Sequence, residues 1–219
     1  MDEIEQPSLI EKGAEASLYL ADWQGIKVIV KKRLPKKYRL PELDEQIKTS
    51  RTIHEPQLIL EAKRAGVPTP PVLLIDVRKG TIVMEFIDGK QVKQLLGEVS
   101  RDERREICIR IGRLIGRLHR HGIIHGDLTT SNMILDSDNK IFFVDFGLGE
   151  KSRDLEAKGV DLHLLKRGLQ STHFEFAEEC FSWVIEGYSD TTEPNTVEKV
   201  LRKIKEIETR GRYISERRE

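Results

Sequence analysis

The pattern of apolar and polar residues in the first third of the chain predicts short strands. Residues 17–20, 27–30 and 81–86 are rich in strand-forming side chains and have the length of strands. Gly13 and Gly25 interrupt the pattern where turns are expected. This part of the chain is therefore predicted to form a small sheet.

A single helix is predicted between the second and the third of these strands. Residues 51–65 repeat apolar side chains at helical spacing, among them Leu58, Ile59 and Ala62. The sequence GVPTPP at 66–71 ends this helix, because proline has no amide hydrogen and its ring clashes with the preceding turn.

The pattern changes to a helical period after residue 89. Residues 101–120 carry an apolar stripe with a 3.6-residue period. The sequence DSDN, a strong turn signal, separates two short apolar runs at 133–135 and 141–144, which we predict to be strands. Further helices are expected at 160–169, 174–187 and 196–208.

These elements predict an α+β fold with two lobes. Residues 1–87 would form a β-rich N-lobe with one helix, and residues 88–208 an α-helical C-lobe that carries the loops described below. Residues 209–219 would form a basic C-terminal tail. A cleft is expected between the lobes, where binding sites commonly lie.

Composition excludes some classes of protein. The 219 residues include 37 basic and 37 acidic side chains, so a global electrostatic field is not expected. No apolar run approaches the roughly 18 residues of a membrane helix, and the first residues lack a signal-peptide pattern. Cys108 and Cys180 have no partner thiol at metal or redox spacing. We therefore predict a cytoplasmic protein with no membrane contact and with reduced core thiols.

The strongest chemical signal is the sequence HGDLTTSN at 125–132, followed by DFG at 145–147. Phosphoryl transfer needs a carboxylate that orients or deprotonates the attacking hydroxyl, and it needs oxygen ligands that hold magnesium against a triphosphate. Asp127 fits the first role, whereas Asn132 and Asp145 fit the second. Either motif alone would suggest only loop residues, but both in this order indicate a catalytic site.

These motifs resemble the catalytic and metal loops of the protein-kinase superfamily, and the resemblance covers about residues 9–185. It implies a minimal bilobal kinase-like fold that uses ATP and Mg²⁺. It also implies that Lys31, at the end of the sequence VIVK, contacts the α- and β-phosphates. Strand alternation places Ile29 on the same face, where it could cover the adenine, and turns Lys32 the other way.

The resemblance requires a helical glutamate that pairs with Lys31. Glu55 is the first candidate and Glu61 the second. Pro56 makes the assignment to Glu55 less direct, because a proline inside a helix usually marks a first turn or a kink.

The remaining nucleotide contacts follow from the same resemblance. The phosphate-covering loop corresponds to GAEAS at 13–17 and retains a single glycine, so Gly13, Ala14 and Ser17 are the predicted contacts. The hinge that offers backbone groups to adenine corresponds to Met84, Glu85 and Ile87, and the floor of the adenine pocket to Ile134. For Met84 and Ile134, an ordinary core role is the alternative.

Departures from the kinase pattern narrow the family. Gly126 replaces the usual arginine, and only thirteen residues separate Gly147 from Asp161, which leaves no room for a long activation segment. The chain closely resembles the small kinase of the KEOPS complex, the p53-related protein kinase family. The supporting segments are KKRLPKKYR at 31–39, RT at 51–52, KGVDL at 158–162 and RGR at 210–212.

This resemblance implies an atypical serine/threonine kinase and ATPase that supports threonylcarbamoylation of tRNA at position 37. The C-lobe would bind the threonylcarbamoyl-transferring subunit, and the N-lobe would bind a small regulatory subunit. Asp161 would brace the catalytic-loop backbone, with a helix N-cap as the alternative.

Charge adds a possible tRNA contact. Residues 27–39 hold seven basic side chains and no acid, and residues 209–219 hold four basic side chains and two acids. A solvated face, or contact of the terminal arginines with a partner's active site, is the alternative. Two other functions stay open from the residues: a stand-alone phosphotransferase of the RIO or small-molecule type, and a non-catalytic pseudokinase adaptor.

Overall fold

The computed structural model describes residues 4–13, 15–36 and 38–216, with the side chains of residues 7–13, 15–36 and 38–210. The N-terminal part contains an antiparallel five-stranded sheet in the order β1-β2-β3-β5-β4. Its strands are β1 (Ile4–Lys12), β2 (Ala16–Trp23), β3 (Ile26–Arg33), β4 (Val72–Asp76) and β5 (Thr81–Glu85). The three predicted strands are confirmed, while β1 and β4 were not predicted.

The hairpin between β2 and β3 follows from its turn residues. Gln24 and Gly25 both have positive φ angles, which match the twist of a two-residue hairpin. The amide of Gly25 donates to Asp22 Oδ1 at 2.8 Å and fixes the turn. The register of β3 against β2 and β5 is therefore continuous, and it determines which basic residues of β3 face the cleft.

The helix of the N-lobe, α1 (Pro41–Arg64), begins ten residues before the predicted start. Its first turns are mostly polar and carry only Leu43 and Ile47 at helical spacing, too few to extend the predicted helix. Pro41 lies in the first turn, where a missing amide hydrogen costs nothing. Pro56 lies within the helix without ending it.

The C-terminal part is mostly helical, as predicted. Its helices are α2 (Val92–Leu95), α3 (Arg101–Arg120), α4 (Leu155–Thr172), α5 (Ala177–Ser189) and α6 (Pro194–Glu216). The bounds of α3 agree with the prediction. Helices α4 and α6 are longer than predicted, and α6 continues into the segment predicted as a tail. None of the helices in the described part of the chain is long and apolar enough to cross a membrane.

Two small sheets carry the loops of the C-lobe. One contains β6 (Gly89–Gln91), β8 (Met133–Asp136) and β9 (Ile141–Phe143) in the order β6-β8-β9. The other pairs β7 (Ile123–Ile124) with β10 (Glu150–Lys151). The β8–β9 hairpin places the two predicted motifs next to each other, because residues 125–132 precede it and residues 145–147 follow it.

Helices α3 and α5 pack with their backbones in close approach. A Cβ atom on Gly112 would lie 1.9 Å from the Val184 carbonyl oxygen, so no side chain fits there. Cys108 and Cys180 lie in these two helices, free and buried. The hydrogen bond with Cys180, together with burial, raises the pKa of the Cys108 thiol. Both cysteines therefore lie in the core, as predicted.

Candidate active site

A cavity of about 650 Å³ lies between the sheet and the helical part, a size typical of small-molecule sites. It is lined from above by the ends of β1, β2 and β3, and from below by the loops around β8 and β9. Most of the residues predicted from the sequence line it: Gly13, Ile29, Lys31, Glu55, Met84, Glu85, Ile87, Asp127, Asn132, Ile134 and Asp145.

One predicted phosphate-loop contact, Ser17, does not line the cavity. Ser17 is buried and is not among the described residues that line the cavity. Its neighbours Ala16 and Leu18 do line it, and successive side chains of a strand point to opposite faces, so Ser17 faces away. Ala14 lies outside the described residues.

Lys31 occupies the centre of the cleft's upper wall. Its Nζ atom lies 2.8 Å from Glu55 Oε1 and 2.7 Å from Asp145 Oδ1. Burial opposes the positive charge, but the two carboxylates outweigh it and raise the pKa of Lys31. The alternative partner, Glu61, pairs instead with Lys151 at an exposed site.

Asp145 connects the upper wall to the metal-type loop. Its backbone has a φ of 61°, a left-handed conformation that side-chain-bearing residues seldom adopt. Its Oδ1 atom accepts from the amide of Gly147 at 3.2 Å as well as from Lys31. Burial alone would raise the pKa of Asp145, but the charge and the hydrogen bond of Lys31 lower it. Asp145 is therefore held as a carboxylate.

Asp127 and Asn132 form the lower wall. The Asn132 side-chain nitrogen donates to the Asp127 carbonyl oxygen at 2.8 Å and to Asp127 Oδ2 at 2.9 Å. These bonds use the amide nitrogen, so the amide oxygen of Asn132 is the atom suited to bind a cation. The Val144 amide donates to the Asn132 carbonyl at 3.0 Å and joins the two loops.

Asp161 supports the backbone of the catalytic-type loop. It is fully buried, and its two oxygens accept from the amides of His125 and Gly126, each at 2.9 Å. Burial alone would raise the pKa of Asp161, but the hydrogen bond and the charge of His119 lower it. Because Asp161 lies inside α4, the alternative N-cap role is wrong.

The surroundings of His125 and Gly126, the two residues that Asp161 supports, explain why a glycine replaces the usual arginine in this motif. His125 packs against Phe146 with ring centroids 4.5 Å apart, and burial lowers the pKa of its imidazole. Gly126 has a φ of 78°, and a Cβ atom there would lie 2.1 Å from the Leu148 carbonyl oxygen. An arginine therefore has no room at position 126.

Comparison with known proteins identifies the family. A model of the RIO domain matches residues 30–157. The KEOPS complex subunit Bud32 of Pyrococcus abyssi is 47% identical over 211 residues, which cover 94% of this chain and 96% of that protein. The chain belongs to the Bud32 family. The EKC/KEOPS complex subunit bud32 of Dictyostelium discoideum is 38% identical and is covered to 82% of its length.

Two further comparisons concern longer chains. A probable bifunctional tRNA threonylcarbamoyladenosine biosynthesis protein of Methanothermobacter thermautotrophicus is 46% identical, and this chain spans 37% of its length. The Rio2 kinase of Chaetomium thermophilum, solved as an ADP/Mg²⁺-phosphoaspartate complex, superposes with a TM-score of 0.64 at 16% identity. That superposition covers 93% of this chain and 70% of the Rio2 chain. It shows the predicted bilobal kinase-like fold.

Sequence reasoning missed three charged residues of this Bud32-family cleft. Arg33, Arg51 and Glu15 all line the cavity. Arg33 pairs with Glu55, and Arg51 pairs at 2.6 Å with Glu15, in the loop predicted to cover the phosphates. The alternation that selected Ile29 and Lys31 also places Arg33 on the cleft face, so the signal was present in β3.

The basic run at 27–39 does not form one exposed face. Lys31 and Arg33 are buried in the cleft, and Arg39 pairs with Asp44 and Glu15. Lys27 and Lys32 remain exposed. Two of the seven basic side chains that suggested a tRNA contact in this segment, Lys31 and Arg33, therefore line the cavity.

The donor set of the cleft fits magnesium better than a transition metal. The amide oxygen of Asn132 and the carboxylate of Asp145 are hard oxygen ligands, which Mg²⁺ prefers. Within the described ranges, no group of three histidine, cysteine or acidic residues could hold a metal by itself. A cation bound by Asn132 and Asp145 would need further ligands from water or from a substrate's phosphates.

Proposed function

We propose that this chain is the ATP-using kinase subunit of a KEOPS complex, in which it supports the threonylcarbamoyladenosine modification of tRNA at position 37. One observation carries the proposal: Lys31, Asp127, Asn132 and Asp145 line a single cavity in a Bud32-family chain. An adaptor would have no physical need to keep these four side chains together in one cleft.

In the proposed site, ATP lies between the two walls. The adenine packs between Ile29 and Ile134 and meets the backbone of the β5 end around Met84, Glu85 and Ile87. Lys31 contacts the phosphates, and the loop that begins at Gly13 covers them. Glu55 pairs with Lys31 and so fixes the position of the charged Nζ atom of Lys31.

Asn132 and Asp145 are the proposed ligands of Mg²⁺. When bound, the ion would neutralise the charge that develops on the phosphates during transfer. The solved Rio2 complex contains ADP and Mg²⁺, which supports this assignment at the level of the fold. Asp127 orients the attacking hydroxyl of a serine, a threonine or water and takes its proton, so the site serves protein phosphorylation or ATP hydrolysis.

The proposed partners follow from the family. The Methanothermobacter relative is described as a bifunctional threonylcarbamoyladenosine biosynthesis protein, which supports a functional link with the threonylcarbamoyl-transferring subunit. We place that subunit on the C-lobe and a small regulatory subunit on the N-lobe. Exposed Lys27, together with the basic residues of 209–219, is proposed to contact tRNA.

The test is a reconstituted complex of this chain with the transferring subunit and tRNA. We expect threonylcarbamoyladenosine formation to need ATP at this site, and Asp145→Asn to abolish it, because the variant lacks the charged magnesium ligand. Lys32→Met, on the opposite face of β3 from Lys31, is the matched control and should retain the activity. Full modification by Asp145→Asn would favour a non-catalytic adaptor, and efficient phosphorylation of a substrate without partners would favour a stand-alone phosphotransferase.

A further inference from the structure

The cleft contains a second buried cation besides Lys31. Arg33 lies two residues farther along β3 on the same face, and its side chain is 5% exposed. Its Nη2 atom pairs with Glu55 Oε2, and its Nη1 atom lies 3.5 Å from Thr52 Oγ1, one turn earlier in α1. Arg33 therefore binds α1 at two points.

The two carboxylate oxygens of Glu55 are divided between two cations. Oε1 accepts from Lys31 and Oε2 from Arg33. Glu55 has no exposed side-chain surface, so an oxygen without a partner would carry an uncompensated buried charge. The arginine fixes the carboxylate in the plane that directs its other oxygen at Lys31.

Arg33 also lies close to Gly147 of the metal-type loop. A Cβ atom on Gly147 would lie 3.3 Å from Arg33 Nη2 and 3.4 Å from Glu55 Oε2. The loop thus packs directly against this ion pair, and the position of Arg33 is linked to that of Asp145, which accepts from Gly147.

The charges of this cluster determine how strongly Lys31 attracts an anion. Lys31, Arg33, Glu55 and Asp145 together carry two positive and two negative charges. If Glu55 paired with Lys31 alone, it would neutralise most of that lysine's field. With Arg33 on its second oxygen, Glu55 is shared, and more of the Lys31 charge acts on an anion in the cavity.

We propose that Arg33 is a positioning residue of the nucleotide site: it holds Glu55 by its second oxygen and thereby keeps the Nζ atom of Lys31 oriented toward the phosphates. This inference rests on the proposed ATP site and adds a residue to it. It predicts that Arg33 matters for ligands with phosphates and not for ligands without them.

Calorimetric titration of the full chain with Mg-ATP and, separately, with adenosine tests this inference. For Arg33→Met we expect the Kd for Mg-ATP to rise about tenfold, the size of effect that losing a charged hydrogen-bond partner produces. The Kd for adenosine should stay unchanged, because adenosine has no phosphate. Lys32→Met removes one positive charge from the exposed face of the same strand and should change neither Kd.

The outcomes distinguish a failure of the role proposed for Arg33 from a failure of the proposed ATP site. An unchanged Mg-ATP affinity in Arg33→Met, or an equal loss of affinity for both ligands, overturns the role of Arg33 but leaves the ATP site intact. A wild-type chain that binds no Mg-ATP overturns the site itself and the inference with it. If Arg33→Met does not fold, Arg33→Lys is measured in the same way. It keeps the charge but loses the two-point contact, and a smaller phosphate-specific loss is expected.

Discussion

The two walls of the cleft are held in place by different forces. The lower wall, with Asp127 and Asn132, is a loop whose backbone is hydrogen-bonded to the buried carboxylate of Asp161. The upper wall is held mainly by ion pairs among Lys31, Arg33 and Glu55. The walls should therefore respond differently to substitution.

The sheet and the helical part also differ in the size of their apolar cores. Among the described residues, the sheet contributes a small apolar cluster of Ala21, Val28, Val30 and Val83. The second cluster is far larger and joins α3, α4, α5 and α6 with the residues that flank the lower loops. Leu58, Ile59 and Ala62 of α1 also belong to this larger cluster. The Lys31–Glu55 pair thus connects a sheet with a small core to a helix anchored in the large one.

This comparison predicts that changes in the lower wall cost folding stability, whereas changes in the upper wall cost ligand binding. The largest effect is expected for Asp161→Ala. It leaves the amides of His125 and Gly126 buried without an acceptor, and two such groups cost about 3 kcal/mol of unfolding free energy. Denaturant unfolding measures this loss.

The control for Asp161 lies on the same helix. Asp154, at the start of α4, is exposed and makes no side-chain capping bond. Asp154→Ala should therefore cost less than about 1 kcal/mol. Equal losses for the two variants would contradict the supporting role of Asp161.

The next largest effect is expected on Mg-ATP affinity, for a substitution in the upper wall. Glu55→Gln removes the charge that Lys31 and Arg33 share, and we expect Mg-ATP affinity to fall about tenfold or more. Glu61→Gln is the matched control, since Glu61 pairs with Lys151 at an exposed site. Titration with Mg-ATP checks both variants, and an equal loss of affinity in both would show that the buried pair has no special role.

Acidification should weaken the lower wall. Burial lowers the pKa of His125, so the unfolded chain binds a proton at this residue before the folded chain does. Stability should therefore fall as the pH drops below about 6.5, at a rate of at most about 1.4 kcal/mol per pH unit for this group. His163 and His173, whose pKa values burial also lowers, add in the same direction.

The contribution of His125 can be isolated. His125→Phe removes the titrating group and keeps an aromatic ring against Phe146. Thermal unfolding between pH 7.5 and 5.5 should show a shallower loss of stability in the variant than in the wild type. A parallel loss in both would mean that His125 does not contribute to the pH dependence.

The smallest effect is expected away from both walls. Arg113 and Asp190 form an ion pair at 2.7 Å in which both side chains are about half exposed. Solvent screens such pairs, so Arg113→Ala should change the unfolding free energy by about 0.5 kcal/mol or less. A loss as large as that of Asp161→Ala would remove the distinction between buried and exposed charges on which the comparison depends.

Strongly periodic or chemically distinctive segments were predictable from the sequence. Helix α3 has the predicted bounds, and Lys31 pairs with Glu55, the glutamate that the resemblance to kinases made the first candidate. The strand β4 was missed although residues 72–75 are an apolar run, because this run directly follows Pro70 and Pro71, which are typical of a loop. The β1 strand contains Pro7, and its apolar residues Leu9 and Ile10 are adjacent and do not alternate with polar residues, so its sequence gives a weak strand signal.

The role of some charged residues depended on the fold. Strand alternation separates Arg33 from exposed Lys32, but the contacts of Arg33 with Glu55 and Thr52 depend on how α1 packs against the sheet. Asp161 lies 35 residues from Gly126 in sequence, and helix α4 brings its carboxylate to the catalytic-type loop. Local patterns carry no information about contacts of this kind, whereas the order of the motifs did reveal the cleft.

The central claim is that this cleft catalyses phosphoryl transfer with Asp127 as its base. The most direct test is magnesium-dependent ATP turnover by the wild-type chain and by Asp127→Asn, each measured with the transferring subunit and tRNA present. We predict turnover by the wild type, and a loss of 10²-fold or more in the variant, the typical contribution of a general base. Affinity for Mg-ATP should be retained. Equal turnover by both proteins would contradict the account.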